Sequence, residues 1–152
     1  MKKKLAFIGG GAMCEAILAG LKGSGLDLSS ISVYDPAPAR LAELNQKLGI
    51  KPAASLEEAV QGKDMVILAV KPQVLPQILA DVANGTTSET IIVSIAAGIN
   101  LPVLEKGMPE RRVIRVMPNT PLMIGEGMSG ICQGTLASQA DVEAVQEIFS
   151  AS

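Results

Sequence analysis

Short apolar runs with no polar alternation recur along this chain, and they restrict its fold more than any other feature. Leu5 to Gly9, Met65 to Val70, Ile91 to Ile95 and Val113 to Met117 are near-continuous in Leu, Ile, Val, Met and Phe. A strand with one solvated face would alternate; a strand covered on both faces has no reason to. Between these runs lie patterns of helical period. Glu15 to Lys22 is closed by Gly23 and Gly25, and Ala39 to Leu48 is ended by Gly49. Ser55 with Glu58 forms a capping box that opens a helix running to Gly62, and further helices are predicted at Val74 to Ala83, Leu101 to Lys106 and Gln139 to Phe149. Ile31 to Asp35, a short stretch around Ile50 and Lys51, and Met128 to Cys132 complete the predicted strands. Strands covered on both faces and separated by helices imply an α/β domain with a doubly wound, mainly parallel sheet. Residues 1–152 read as one domain, with no repeat, low-complexity tract or linker. A 48% hydrophobic share, 18% charge and a mean hydropathy of +0.36 exclude intrinsic disorder, because apolar burial is ample to offset chain entropy.

Composition also removes whole classes of chemistry. A net charge of −2 supplies no field to gather nucleic acid or an anionic membrane, so neither is an expected partner. One Tyr, two Phe and no Trp disfavour base-stacking platforms. No histidine occurs, which rules out Ser-His-Asp and Cys-His triads, histidine-ligated metals and a histidine general base; no metal site is expected. Cys14 and Cys132 are too few for a disulfide framework and too far apart for a CxxC motif, so a cytoplasmic setting is expected. Met1-Lys2-Lys3-Lys4 followed by an apolar stretch imitates a secretion leader, but three glycines and Glu15 interrupt it, and strand, turn and helix explain it better.

The strongest local signal is Phe7-Ile8-Gly9-Gly10-Gly11-Ala12-Met13-Cys14, set between the first strand and the first helix. Gly9 permits a tight turn, Gly11 lets a pyrophosphate approach the backbone, and the helix N-terminus faces the phosphate charge. Cys14 stands at the third glycine position of GxGxxG, where a small thiol still lets helix pack on strand. This makes the domain Rossmann-type, with NADP or NAD as the expected cofactor. Asp35 ends the second strand and could accept bonds from the adenosine ribose, favouring NAD; Arg40 could reach a 2′-phosphate, favouring NADP. Either residue could also serve only the chain itself, Asp35-Pro36 as a bend and Arg40 as a solvated first-turn residue.

Three later loops follow strand ends, where ligands sit in open α/β sheets. They are Ala69-Val70-Lys71-Pro72, Ser94-Ile95-Ala96-Ala97-Gly98 and Arg115-Val116-Met117-Pro118-Asn119-Thr120-Pro121. Small residues at Ala96-Ala97-Gly98 admit a flat ring, Lys71 offers a cation, and two prolines stiffen the loop around Asn119-Thr120.

These loops together with the glycine turn, in this order and spacing, resemble pyrroline-5-carboxylate reductase over essentially the whole chain. The resemblance implies hydride transfer from NADPH or NADH to the imine carbon of 1-pyrroline-5-carboxylate, giving L-proline in the last step of proline biosynthesis. It implies that Ile8, Gly9, Gly10, Gly11, Ala12 and Met13, Ala69 to Pro72 (Ala69, Val70, Lys71, Pro72) and Ile95, Ala96, Ala97 and Gly98 hold the cofactor. Met117, Pro118 and Asn119 would then stand near the nicotinamide and substrate. It further implies a helical C-terminal domain beyond residue 152 that forms a homo-oligomer and supplies most substrate contacts; catalytic residues are unassigned here. Ala12 replaces an Asn common in the family, and Asp35 replaces an uncharged or hydroxylated residue, which weakens the family's NADPH preference. Rival readings are a related dehydrogenase of a small hydroxy acid and a non-catalytic dinucleotide-sensing module. Cys132, in an apolar strand-like stretch, is expected to be inert core, and the methionines to be packing, with Met13 inside the cofactor turn.

Overall fold

A computed structural model of the chain describes residues 3–117 and 130–150. In chain order its elements are β1 (Leu5–Ile8), α1 (Ala12–Gly23), β2 (Ser32–Tyr34), α2 (Pro38–Leu48), β3 (Lys51–Pro52), α3 (Leu56–Val60) and β4 (Met65–Leu68). Then come α4 (Leu75–Gly85), β5 (Ile91–Ser94), α5 (Leu101–Gly107), β6 (Arg112–Met117), β7 (Gly130–Gln133) and α6 (Gln139–Ser150). The strands form one sheet in the order β3-β2-β1-β4-β5-β6-β7, parallel throughout except for β7, which runs antiparallel to β6. This is the doubly wound, Rossmann-type architecture, and the order reverses between β1 and β4.

The missing polar alternation now has its cause. Because successive side chains point to opposite faces, Leu5 and Phe7 enter one core with Met65, Ile67 and Val93, under α1, α2 and α6. Ala6 and Ile8 enter a second core with Val66, Leu68 and Ile92, under α3, α4 and α5. Phe7 is 0% exposed and Ile8 2%, so both faces of β1 are dry. At roughly 25 cal/mol per Å² of apolar area, two such cores hold the sheet's centre rigidly and leave its carboxyl-end loops to vary.

Local signals set the ends of the elements. Gly49 closes α2 at φ +76°, and the Ser55 hydroxyl accepts the Glu58 N–H at 3.1 Å to open α3. α1 starts at Ala12, three residues before the predicted start, because the Gly11 carbonyl already accepts the Glu15 N–H at 3.0 Å. Cys132 departs from expectation: it is exposed rather than core, because β7 is the edge strand of the sheet and, among the described residues, no strand pairs with its outer side. Met128, from the predicted strand, lies outside the described residues.

Candidate functional site

The glycine turn is built by its neighbours as much as by its own sequence. Gly9 has φ +98°, and a Cβ there would stand 2.5 Å from the Ala69 carbonyl oxygen, so the crossing of the turn over the end of β4 admits only glycine. A Cβ on Gly10 would meet the Leu44 side chain at 3.0 Å. Gly11 is different. Its φ of −79° and ψ of −166° suit any residue, and among the described residues nothing lies within 4 Å of where its Cβ would be.

Helix α1 begins immediately after Gly11 with no side-chain cap. Its first amides are therefore unpaired within the helix and carry the positive end of its dipole. Cys14 packs beneath this turn, fully buried, and burial pushes its thiol up to about 12. It takes the small-residue place that the motif requires between helix and strand.

Asp35 and Arg40 hold the Gly10 peptide from two directions. One carboxylate oxygen of Asp35 accepts the Gly10 N–H at 2.8 Å, and the other accepts the Ala37 N–H at 2.9 Å. The Nε of Arg40 donates to the Gly10 carbonyl; one Nη donates to the Gly11 carbonyl at 3.3 Å and to Glu15 at 2.8 Å, and the other pairs with Glu43. Lys47 adds a second cation to Glu15 at 3.4 Å. The hydrogen bond from Arg40, reinforced by Lys47, holds the Glu15 carboxyl below the usual carboxylate range. The Arg40 side chain is only 24% exposed, so it is not the freely solvated residue one sequence reading allowed.

Gly9, Gly10, Gly11, Asp35, Ala69, Val70 and Lys71 line one cavity of about 270 Å³ at the point where the strand order reverses. The sequence reading placed these residues together, and the structure does so. Beside it lies a cavity of about 350 Å³ that shares Gly9, Pro36, Val70 and Val74 and extends to Tyr34, Ile78 and Asp81. Tyr34, Val74 and Ile78 were missed; their only signal was position, one residue before a strand-end Asp or along the helix that follows β4. Met13 is half-buried against the core, and its side chain is not among the cavity's lining residues. Ala12 is exposed and faces a separate groove with Glu15 and Arg40.

Ile95 to Gly98 do not line these cavities. They follow β5, the next strand along the same edge, with Ala96 buried, Ala97 exposed and Gly98 at φ +78°. Met117 ends β6, one strand further, and is 47% exposed. Pro118 and Asn119 lie outside the described residues. With parallel neighbours about 4.8 Å apart, the ends of β1, β4, β5 and β6 form one continuous edge. No helix among the described residues is long and apolar enough to cross a membrane.

Sheet order and glycine turn together define a Rossmann-type α/β domain with its crevice at the reversal point. A family profile described as "NADP oxidoreductase coenzyme F420-dependent" matches residues 4–98, and the chain belongs to that family. It is 38% identical over 151 residues to pyrroline-5-carboxylate reductase of Escherichia coli (strain K12), covering 98% of this chain and 56% of that one. The solved pyrroline-5-carboxylate reductase of Coxiella burnetii superposes with a TM-score of 0.91 at 27% identity, covering 99% of this chain and 57% of the other. The Plasmodium falciparum pyrroline carboxylate reductase, solved with NADP bound, gives a TM-score of 0.85 at 27% identity, with 99% and 55% covered. The chain thus spans little more than half the length of these relatives.

Proposed function

We infer that this chain binds a nicotinamide dinucleotide, NADP or NAD, at the crevice between β1 and β4, and is the cofactor-holding part of a pyrroline-5-carboxylate reductase. The observation that carries the reading is Gly11. Its backbone is ordinary and the space beside it is open, so the chain's own packing does not require glycine there. A ligand pressed against the backbone does. The NADP-bound relative and the family description supply the ligand class.

On this reading the first amides of α1 receive the pyrophosphate, and the Asp35 carboxylate faces the adenosine ribose. The cavity with Val70, Val74 and Ile78 takes the adenine ring. Ile95 to Gly98 give the nicotinamide its small-residue bed, with Met117, Pro118 and Asn119 on the substrate side. When bound, the reduced nicotinamide supplies the hydride for the imine carbon of 1-pyrroline-5-carboxylate. The chain's own contribution is orientation, and holding two reactants in register is worth many orders of magnitude in rate. Substrate contacts and homo-oligomer formation are assigned to the remainder of the length that the relatives have, and a cytoplasmic setting suits proline biosynthesis.

Calorimetry with NADP and NAD tests the cofactor assignment directly, and absence of binding to either would remove it. Cofactor oxidation in the presence of 1-pyrroline-5-carboxylate tests the rest. Residues 1–152 are expected to turn over at least about a thousandfold more slowly than the full-length E. coli relative, because half a site does not orient the imine. Comparable turnover would place the catalytic machinery within this chain. Binding without turnover in the longer protein would return the sensing reading.

A further inference from the structure

The Arg40 guanidinium meets two main-chain carbonyls and two carboxylates, and this arrangement bears on a question the cofactor assignment leaves open. A trans peptide is planar, with its C=O and N–H pointing in opposite directions. The Gly10 carbonyl shares a peptide plane with the Gly11 N–H, and the Gly11 carbonyl shares one with the Ala12 N–H. Holding both carbonyls against Arg40 therefore turns both N–H groups away from it. Asp35 accepts the Gly10 N–H at 2.8 Å, so Gly10 is gripped at both ends and loosening its carbonyl loosens its N–H as well. Glu15, in the first turn of α1, closes the arrangement by pairing with the same guanidinium. Charge points the same way. The single guanidinium pairs with two carboxylates, Glu15 and Glu43, and Lys47 reaches only Glu15. A dianionic phosphate gains little from a cation already outnumbered by carboxylates.

We propose that Arg40 is a positioning residue for the dinucleotide and not a receptor for its 2′-phosphate: it clamps the Gly10 and Gly11 carbonyls so that the Gly11 and Ala12 amides stay aimed at the pyrophosphate. The proposal rests on the cofactor reading above for its ligand, and on the geometry of the turn alone for the clamp. Its consequence is specific. Loss of Arg40 weakens NADP and NAD by the same factor, because both carry the same pyrophosphate. Lys at position 40 does not restore either, since a single ammonium cannot span both carbonyls and both carboxylates.

The test combines two readouts on parent, Arg40→Gln and Arg40→Lys chains. Calorimetric affinities for NADP and NAD are expected to fall about tenfold or more and in parallel in both variants, as a pre-organised site becomes loose. In the cofactor-free chains, amide exchange at Gly10 is expected to quicken by a similar factor, while amides of β4 and β5 such as Val66 and Ile92 keep their protection. A merely global loss of stability would move all of these together and would overturn the proposal. So would a fall confined to NADP that Arg40→Lys repairs, since that is the behaviour of a direct phosphate contact. Should the parent bind neither dinucleotide, the cofactor reading fails. The clamp is then judged by Gly10 exchange alone, and unchanged exchange in Arg40→Gln refutes it.

Discussion

The turn after β1 and the turn after β5 sit on the same edge of the sheet and are made of the same small residues, yet they are held in different ways. After β1, Gly9 is pressed on the Ala69 backbone, Gly10 is bonded by Asp35 and Arg40, and Gly11 opens a twelve-residue helix. After β5, one buried side-chain bond, from the Ala96 N–H to the Ser94 hydroxyl at 3.3 Å, precedes exposed Ala97 and Gly98. Gly98 needs glycine for its φ of +78°, but among the described residues nothing beyond its chain neighbours lies within 4 Å of where its Cβ would be. Glycine in the first turn answers to neighbours and, on the proposed reading, to a ligand; in the second it answers to the backbone alone. A pre-organised anchor beside a looser bed is a sensible arrangement for a ligand with a fixed pyrophosphate and a ring that must meet a second reactant.

The largest expected effect breaks this contrast at its strongest point. Gly9→Ala drives a Cβ into a backbone oxygen of β4 at 2.5 Å while keeping a left-handed φ, and β1 and β4 cannot part without opening both cores. Its cost should reach about 4 kcal/mol or more, in the range reserved for strain combined with a core clash. Gly98→Ala carries the φ penalty only, about 1 to 2 kcal/mol. Urea denaturation of the two variants measures the difference, and equal costs would show that Ala69 yields easily.

Gly11→Asp separates binding from folding. Position 11 is the N-cap of α1, where Asp is favoured over Gly by a few tenths of a kcal/mol. Stability should therefore hold or rise slightly. The same carboxylate stands where the pyrophosphate is proposed, and dinucleotide affinity should fall by at least about a hundredfold, some 2.7 kcal/mol. Calorimetry on a variant with unchanged melting gives the answer, and equal affinity in variant and parent would remove the turn from the site.

The strands were legible because a sheet covered on both faces writes itself as unbroken apolar runs, as Met65 to Leu68 shows. The turn was legible because glycine at 9 and 11 has few other uses after a strand. What stayed hidden was relational. Nothing in the spacing of Arg40 says that its guanidinium folds back onto Gly10 instead of reaching outward, because that depends on Glu15 arriving from α1. Cys132 misled for a similar reason: an apolar neighbourhood predicts a strand, but only the sheet order reveals that the strand is an edge.

A subtler change sharpens the contrast at the ribose. Asp35→Ser removes a negative charge while leaving an oxygen that can still accept the Gly10 N–H. The ratio of NADPH to NADH affinity should move toward NADPH by about tenfold, the removal of one repulsive element. Titration of both cofactors against parent and variant checks this, and an unchanged ratio would mean that Asp35 serves the turn alone.

The smallest effect concerns pH, and it distinguishes the two turns by a titratable group. No ionisable residue lies between Ser94 and Leu101, whereas Cys14 is buried under the first turn with its thiol pushed up to about 12. An unfolded cysteine ionises near about 8.5. The folded chain therefore keeps a proton that the unfolded chain releases, so this contribution is fully present below about pH 8.5 and is lost progressively as pH rises toward 12. At pH 9 the loss amounts to about 1 kcal/mol, and it grows by roughly 1.4 kcal/mol for each further unit. Cys14→Ala should flatten that slope, at the separate cost of a small cavity. Cys132→Ser, which replaces the exposed thiol of β7, is the comparison protein. Denaturation curves for the three proteins between pH 7 and 10 decide the matter, and a slope that survives in Cys14→Ala would show that Cys14 is not its source. Lys63, whose ammonium is disfavoured by burial, would oppose such a slope, since its burial penalty is relieved as pH rises from its lowered folded value toward its unfolded one.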